Sequence, residues 1–248
     1  MSKVIIESRE NVAIVRLNNG VINAINTELV DDLSRAIHQV KTEFKGMVLA
    51  GGTKFFCIGL DLPVLLKLDR AGMGKFWDKF DQVIADLYTL PIPTVCAVAG
   101  HAVAGGAILA FTCDYRFVAS GRKFIGLNEI KIGVPVPYLP DLMLRQIVGD
   151  RAATEVLYRG EMVEPQAALE IGMVDDVFSA DDLEAHAVEK IAELAALSQP
   201  AFGFIKENRV RDNHHKFVIE RESNKEQFLD CWFQESVREL LREAAQKF

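Results

Sequence analysis

Three short stretches of this chain hold residues whose types and spacing suit proton transfer beside a carbonyl group. In LAGGTKFFCIGLDLP, a strand-like run ends in Gly51-Gly52, and after a hydrophobic stretch Gly59-Leu60-Asp61 makes a turn whose backbone N–H groups can point into a cleft. In GHAVAGGAILA, Gly105-Gly106 opens an apolar helix, so free N–H groups and the positive end of its dipole face whatever lies there. In GLNEIKIGVP, Glu129 stands among Phe124, Ile125, Leu127, Ile130 and Ile132, surroundings that raise a carboxyl pKa and make a competent base. Each piece alone has an ordinary structural explanation: a turn, close helix packing, a half-exposed acid at a strand end. Together, two N–H donors and one carboxylate are the minimum set for enolate chemistry on a thioester, where oxygen charge is held while a carbon is deprotonated.

Other chemistries find less support. Gly51-Gly52, Gly72-Met73-Gly74-Lys75 and Gly105-Gly106 do not complete GxGxxG or GxxxxGK[ST] between a strand and a helix, which weakens nucleotide-fold readings. No HExxH, DxDxDG or paired Cys/His set appears, so no metal is expected, and His214-His215 reads as a solvated helix face. No serine sits in a GxSxG elbow. Cys57 is the better nucleophile candidate, since glycine follows two residues later, but apolar neighbours and no nearby histidine favour a buried thiol. Cys57, Cys96, Cys113 and Cys231 are widely spaced and read as reduced. A net charge of -7 and a pI near 5.3 argue against a nucleic-acid partner. The opening MSKVIIESRENVAIVRL has no signal-like core and no apolar run reaches a membrane-spanning length, so a cytoplasmic protein with no membrane partner is expected.

The elements that must position these pieces follow from periodicity. Val4–Ser8 and Val12–Leu17 read as strands joined through Arg9-Glu10-Asn11, and Thr27–Lys41 as a helix with Asn26 or Thr27 as N-cap. Met47–Ala50, Thr94–Ala99 and Asp114–Ala119 are apolar strands separated by helical segments at Phe76–Leu90 and Ala107–Phe111, the alternation of βαβ units. Helices are expected over Leu142–Val148 and Ala152–Tyr158, a strand at Val174–Phe178, and helix from Asp181, broken at Ser198-Gln199-Pro200 and resumed as a mixed-charge tail.

In order and spacing, GGTKFFCIGLDL, PIPTVCAVAGHAVAGGAILAFTCDYR, FIGLNEIKIGVPVP and RAATEVLYRGEMVEPQAALEIGMVDDVF resemble the crotonase, or enoyl-CoA hydratase/isomerase, superfamily, over most of the chain. The GLDL, AGGAILAFTCDYR and IGLNE strings look most like its mitochondrial-type Δ3,Δ2-enoyl-CoA isomerases. The resemblance implies an α/β fold: a ClpP-like ββα spiral core with two nearly perpendicular sheets over residues 1–195, and a C-terminal helical oligomerisation region over 196–248. It also implies an acyl-CoA substrate with no separate cofactor. Leu60 and Gly105 match the residues whose amides form the family's oxyanion hole; Asn128 and Glu129 match its Asn–Glu pair; Ile58, Gly59, Asp61 and Leu62 would line the pantetheine and acyl tunnel. Val21–Ile25, which includes Ala24, resembles the segment that holds the adenine, though the family's basic residue there is replaced by Val21 or Ile22. Lys54, Lys67, Arg70, Lys206 and Arg209 are candidates for the phosphates.

One departure bears on the reaction. Family hydratases carry a second glutamate where this chain has Ile108, and the pair orients water; a single acid suffices for an isomerase, which moves a proton from C2 of a 3-enoyl-CoA to C4. The alternatives are a hydratase or another crotonase-type acyl-CoA enzyme, a non-catalytic acyl-CoA binder, and, remotely, a ClpP-like protease. Phe228, Leu229, Trp232, Phe233, Val237, Leu240 and Leu241 give the tail more apolar surface than a lone helix leaves exposed, so a homotrimer or dimer of trimers is expected, the alternative being packing on the same chain's core.

Overall fold

The computed structural model describes residues 2–246; Met1, Lys247 and Phe248, the outer ends of the two expected regions, lie outside the described residues. The chain opens with β1 (Val4–Arg9) and β2 (Val12–Leu17), an antiparallel hairpin whose turn places Glu10 at φ 54. Helix α1 (Thr27–Glu43) begins where the Asn26 side chain accepts the Leu29 N–H, a cap worth about 1 kcal/mol. Then each long strand is followed by a very short one. β3 (Gly46–Ala50) leads to β4 (Phe55–Cys57), the one-turn α2 (Leu62–Leu65) and α3 (Arg70–Tyr88). β5 (Thr94–Val98) leads to β6 (His101–Val103) and α4 (Gly105–Phe111), and β7 (Tyr115–Ala119) to β8 (Ile125–Gly126). Beyond a 3₁₀ turn at Glu129–Ile132 come α5 (Tyr138–Arg159), α6 (Pro165–Glu170), β9 (Asp176–Phe178), α7 (Leu183–Ala195), α8 (Gln199–Trp232) and α9 (Glu235–Ala245).

The long strands and the three-residue β9 form one six-stranded sheet in the order β1-β2-β3-β5-β7-β9, parallel beyond the first hairpin, and the short strands that follow β3, β5 and β7 form a three-stranded parallel sheet, β4-β6-β8. Repetition of long strand, short strand and helix is the α/β ββα spiral expected from the motifs. Alternation along the long strands sorts their side chains onto two faces. Val12, Ile14, Val48, Ala50, Val95, Ala97, Phe117 and Ala119 face α7, which covers them with Leu183, Ala187 and Ile191 at helical spacing. Ala13, Val15, Met47, Leu49, Cys96 and Val98 face the other way, into the main core with α1, α3 and α4. Contact with α7 is close enough that a Cβ on Gly46 would lie 2.3 Å from Ile191.

Most boundaries agree with periodicity. The helices expected at Leu142–Val148 and Ala152–Tyr158 are two segments joined at Gly149, whose φ of 80 breaks the helical path. The three strands of the small sheet were not expected from the residues, because runs of two or three residues are too short to show a period.

The tail packs inward. Phe228, Leu229, Trp232, Val237 and Leu241 are buried against the same chain's core and Phe233 is packed beside it, leaving Leu240 exposed, so these residues do not of themselves call for a neighbouring subunit. Packing on the same chain's core, the alternative weighed for these residues, accounts for their burial. No helix among the described residues is long and apolar enough to cross a membrane.

Candidate active site

The small sheet sets the geometry. Its three parallel strands pair Cys57 with Ala102 and Val103 with Gly126, with one register shift between Phe55 and Cys57, and their C-terminal ends lie side by side. Leu60 follows β4 by three residues, Gly105 follows β6 by two, and Glu129 follows β8 by three. Three segments far apart in sequence therefore converge at one sheet edge, beyond the carboxyl ends of the strands, where open α/β sheets commonly hold ligands. A cavity of about 90 Å³ opens there, and Ile58, Leu60, Leu62, Gly105, Ile108, Asn128 and Glu129 all line it.

Two glycines allow this approach. A Cβ on Gly106 would sit 2.1 Å from the Cys57 carbonyl oxygen, so α4 can lie against β4 only without a side chain there. Gly59, at φ +90, turns the chain beside Gly105; a Cβ on it would meet the Gly105 nitrogen at 3.1 Å. The loop is pinned from outside as well: Ile25 N–H donates to the Gly59 carbonyl, Asp61 N–H to the Ile25 carbonyl and Ile58 N–H to the Ile22 carbonyl. Those bonds use the Gly59 carbonyl and the Asp61 N–H, the groups on either side of the Leu60 N–H, and not that N–H itself. Among the described residues, no carbonyl or side chain accepts the N–H of Leu60 or Gly105. Ala104, which leads into α4, holds φ 49, a costly conformation for a residue with a Cβ, and it gives the helix no side-chain cap.

Glu129 is only 5% exposed, in the first position of the 3₁₀ turn, and its Oε2 has no hydrogen-bond partner. Burial pushes its pKa up to about 8, opposed by a hydrogen bond from its own backbone. The apolar surroundings are partly those expected, since Ile132 lines the cavity and Ile125 and Leu127 are buried. Ile130, however, is 56% exposed, and much of the wall comes from distant parts of the chain: Leu60, Ile108, Trp77 and Phe80 of α3, Phe228 and Trp232 of α8, Ala244 of α9. These aromatic residues carried no local motif, and only the apolar spacing of α3 and the tail marked them. Asn128 contributes a buried, unpartnered Oδ1.

The remaining expected residues fall elsewhere. Asp61 caps α2 by accepting the Val64 N–H and also accepts from the Asn26 side chain, and neither it nor Gly59 lines the cavity; they shape the loop that carries Leu60. Ala24 is buried outside the cavity wall, its carbonyl taken by the Asn19 side chain, while Asn23 beside it donates to the Phe56 carbonyl. Among the cations, Lys206 is sealed in an ion pair with Asp114 at 2.8 Å, and Arg70 is bound to Glu226 and Asp230; Lys54, Lys67 and Arg209 are exposed. Cys57 is fully buried, its thiol pushed up to about 12, which leaves it inert. A larger polar groove of about 560 Å³, lined by Asp114, Arg116, Lys206 and Arg209 among others, shares no residue with the Glu129 cavity, and its acids Asp114 and Asp175 are already paired with cations.

A family model described as enoyl-CoA hydratase/isomerase matches residues 7–248. The human mitochondrial enoyl-CoA delta isomerase 1 is 27% identical over 235 residues, 93% of this chain and 78% of the relative. The mouse mitochondrial methylglutaconyl-CoA hydratase is 30% identical over 176 residues, 70% and 56% of the two chains. In three dimensions, the crystal structure of human mitochondrial delta3-delta2-enoyl-CoA isomerase superposes with a TM-score of 0.95 at 26% identity, covering 99% of this chain and 97% of that one.

Proposed function

The chain belongs to the enoyl-CoA hydratase/isomerase family, and from that footing we propose that it moves the double bond of a 3-enoyl-CoA to the 2-trans position, in the manner of fatty-acid β-oxidation. The ionised Glu129 carboxylate takes a proton from C2, and the electrons shift into a dienolate whose oxygen accepts hydrogen bonds from the N–H groups of Leu60 and Gly105. The same carboxyl group then returns the proton to C4 and is left as carboxylate again. No water is consumed. Asn128 sits beside the acid to orient the acyl group, Ile58 and Leu62 flank the chain, and the Ala24 segment is the place for the adenine.

The observation that carries this reading is that, among the described residues, Glu129 is the one carboxyl group lining a cavity that also holds Leu60 and Gly105 with unclaimed N–H groups, and whose second-acid position is the apolar Ile108, 2% exposed. Each amide donor is worth roughly 10²–10³ in rate, and a base about 10²–10⁴. Burial raises the basicity of Glu129 toward that needed to deprotonate carbon, and apolar walls keep water from competing. Turnover of 3-hexenoyl-CoA against hydration of crotonyl-CoA tests it. Isomerisation should dominate; hydration of crotonyl-CoA at an equal or higher rate would reject it in favour of a hydratase.

A cytoplasmic location and a homotrimer or dimer of trimers belong to the same proposal, with residues 196–248 as the helical region that meets neighbours. Phe204, Ile205, Val218 and Ile219, all more than half exposed on α8, are the apolar surface that supports assembly.

A further inference from the structure

We infer that the Trp77–Phe228 ring stack is the end wall of the acyl channel and sets the longest chain the site accepts, an inference that rests on the acyl-CoA reading of the Glu129 cavity. Trp77 on α3 and Phe228 on α8 lie nearly parallel, ring centroids 3.5 Å apart and planes 19° from each other, and both are buried. They are braced on either side, Trp77 edge-on to Phe80 and Phe228 tilted against Trp232.

Behind the stack lies a second void of about 30 Å³, which shares Trp77, Phe228, Pro135 and Pro137 with the Glu129 cavity. Two voids with four residues in common are one channel interrupted by a partition. Their chemistry differs on the two sides. Toward Glu129 the walls are mostly apolar, whereas the far void is reached by Asp81, Arg221, Asn224 and Gln227. Asp81 is 5% exposed, and burial pushes its carboxyl up to about 7, against the opposing pull of Arg221 and Lys225. A methylene chain passing the rings would displace polar contacts there and gain little.

The near cavity, at about 90 Å³, takes roughly six to nine groups of water or methylene size at ~10–15 Å³ of such space each, about the length of a six-carbon acyl group. A short acyl chain fits in front of the partition; a long one would have to part the rings. Rejection of a chain that overfills an apolar pocket commonly reaches roughly 10- to 200-fold.

The test uses the full chain and two readouts: kcat/KM for 3-hexenoyl-CoA and 3-dodecenoyl-CoA, and Kd for the saturated hexanoyl- and dodecanoyl-CoA, for wild type, Phe228→Ala and the milder Phe228→Leu, with thermal unfolding checked. Wild type should favour the six-carbon ligand by at least about tenfold in both readouts, and the Phe228 variants should narrow that ratio by relieving the long chain. Equal handling of both lengths by wild type overturns the inference, as does a loss in the variants that is the same for both lengths. Saturated ligands separate this from the proposed reaction: a chain-length ratio in Kd that relaxes in the variants, without turnover of any enoyl-CoA, would sustain the partition while rejecting the isomerase.

Discussion

Replacing Glu129 by Gln keeps the size of the side chain and removes its ability to ionise, so its effect on stability can be worked from the structure. In the fold, burial holds the carboxyl near pKa 8; unfolded, it returns to its ordinary 4.5. Because the folded value is the higher one, the group favours the native state fully below pH 4.5, and that contribution is lost as pH rises to the folded value. At pH 7 the unfolded chain gains by ionising about 2.5 pH units above its ordinary pKa, and at about 1.4 kcal/mol per unit this is about 3 kcal/mol. At pH 5 the same reckoning leaves under about 1 kcal/mol. Glu129→Gln, neutral in both states, escapes this cost. It should therefore unfold later than wild type at neutral pH, by several degrees for a domain of this size, and the gap should nearly close at pH 5. Paired thermal or urea unfolding curves at pH 5, 7 and 8.5 read this directly. A gap that does not widen with pH, or a variant less stable than wild type throughout, would refute the claim that the acid is held in an apolar site at a cost in stability.

Other consequences are as direct. Since kcat/KM reports ionisation of the free enzyme, it should climb with pH as Glu129 loses its proton and level off above about 8; a profile already flat at pH 6 would contradict the burial. Gly106→Ala sets a Cβ 2.1 Å from the Cys57 carbonyl oxygen, so α4 must move off β4; we expect a loss of at least about 2 kcal/mol in denaturant unfolding and of most turnover, whereas Leu60→Met, which keeps the amide, should lose less than about tenfold in activity. Lys206→Met leaves Asp114 without the cation 2.8 Å away; since Asp114 is a quarter exposed, a cost of about 3 kcal/mol, at the lower end for buried pairs, is expected in urea unfolding, and under 1 kcal/mol would show the pair to be dispensable.

Much of this was legible in the chain because the relevant signals are local. Alternation in Val12–Leu17 and the apolar run Met47–Ala50 describe strands whose two faces meet different helices, and the residues that allow or perform close approach, Gly59, Gly105 and Glu129, stand in short motifs. What could not be seen is what depends on register and distance. The small sheet is built from two- and three-residue strands, recognisable only once each is seen to follow a long strand and to end just before a site residue. The apolar shell of Glu129 was sought in its sequence neighbours, and only part of it lies there: Ile132 lines the cavity but Ile130 faces solvent, since a 3₁₀ turn sends successive side chains in different directions, and Trp77, Phe228 and Trp232 close the rest. The tail's apolar residues were weighed as an intersubunit surface, because composition cannot distinguish a helix that covers its own core from one that covers a neighbour's.

The most direct measurement of the central claim, that one buried acid shuttles the proton between two carbons, is turnover of 3-hexenoyl-CoA by wild type and Glu129→Gln under identical conditions, with Kd for hexanoyl-CoA and unfolding measured on the same samples. The variant should fold, bind the saturated ligand, and lose at least about 100-fold in kcat. A variant that keeps kcat within tenfold of wild type would show that another group moves the proton.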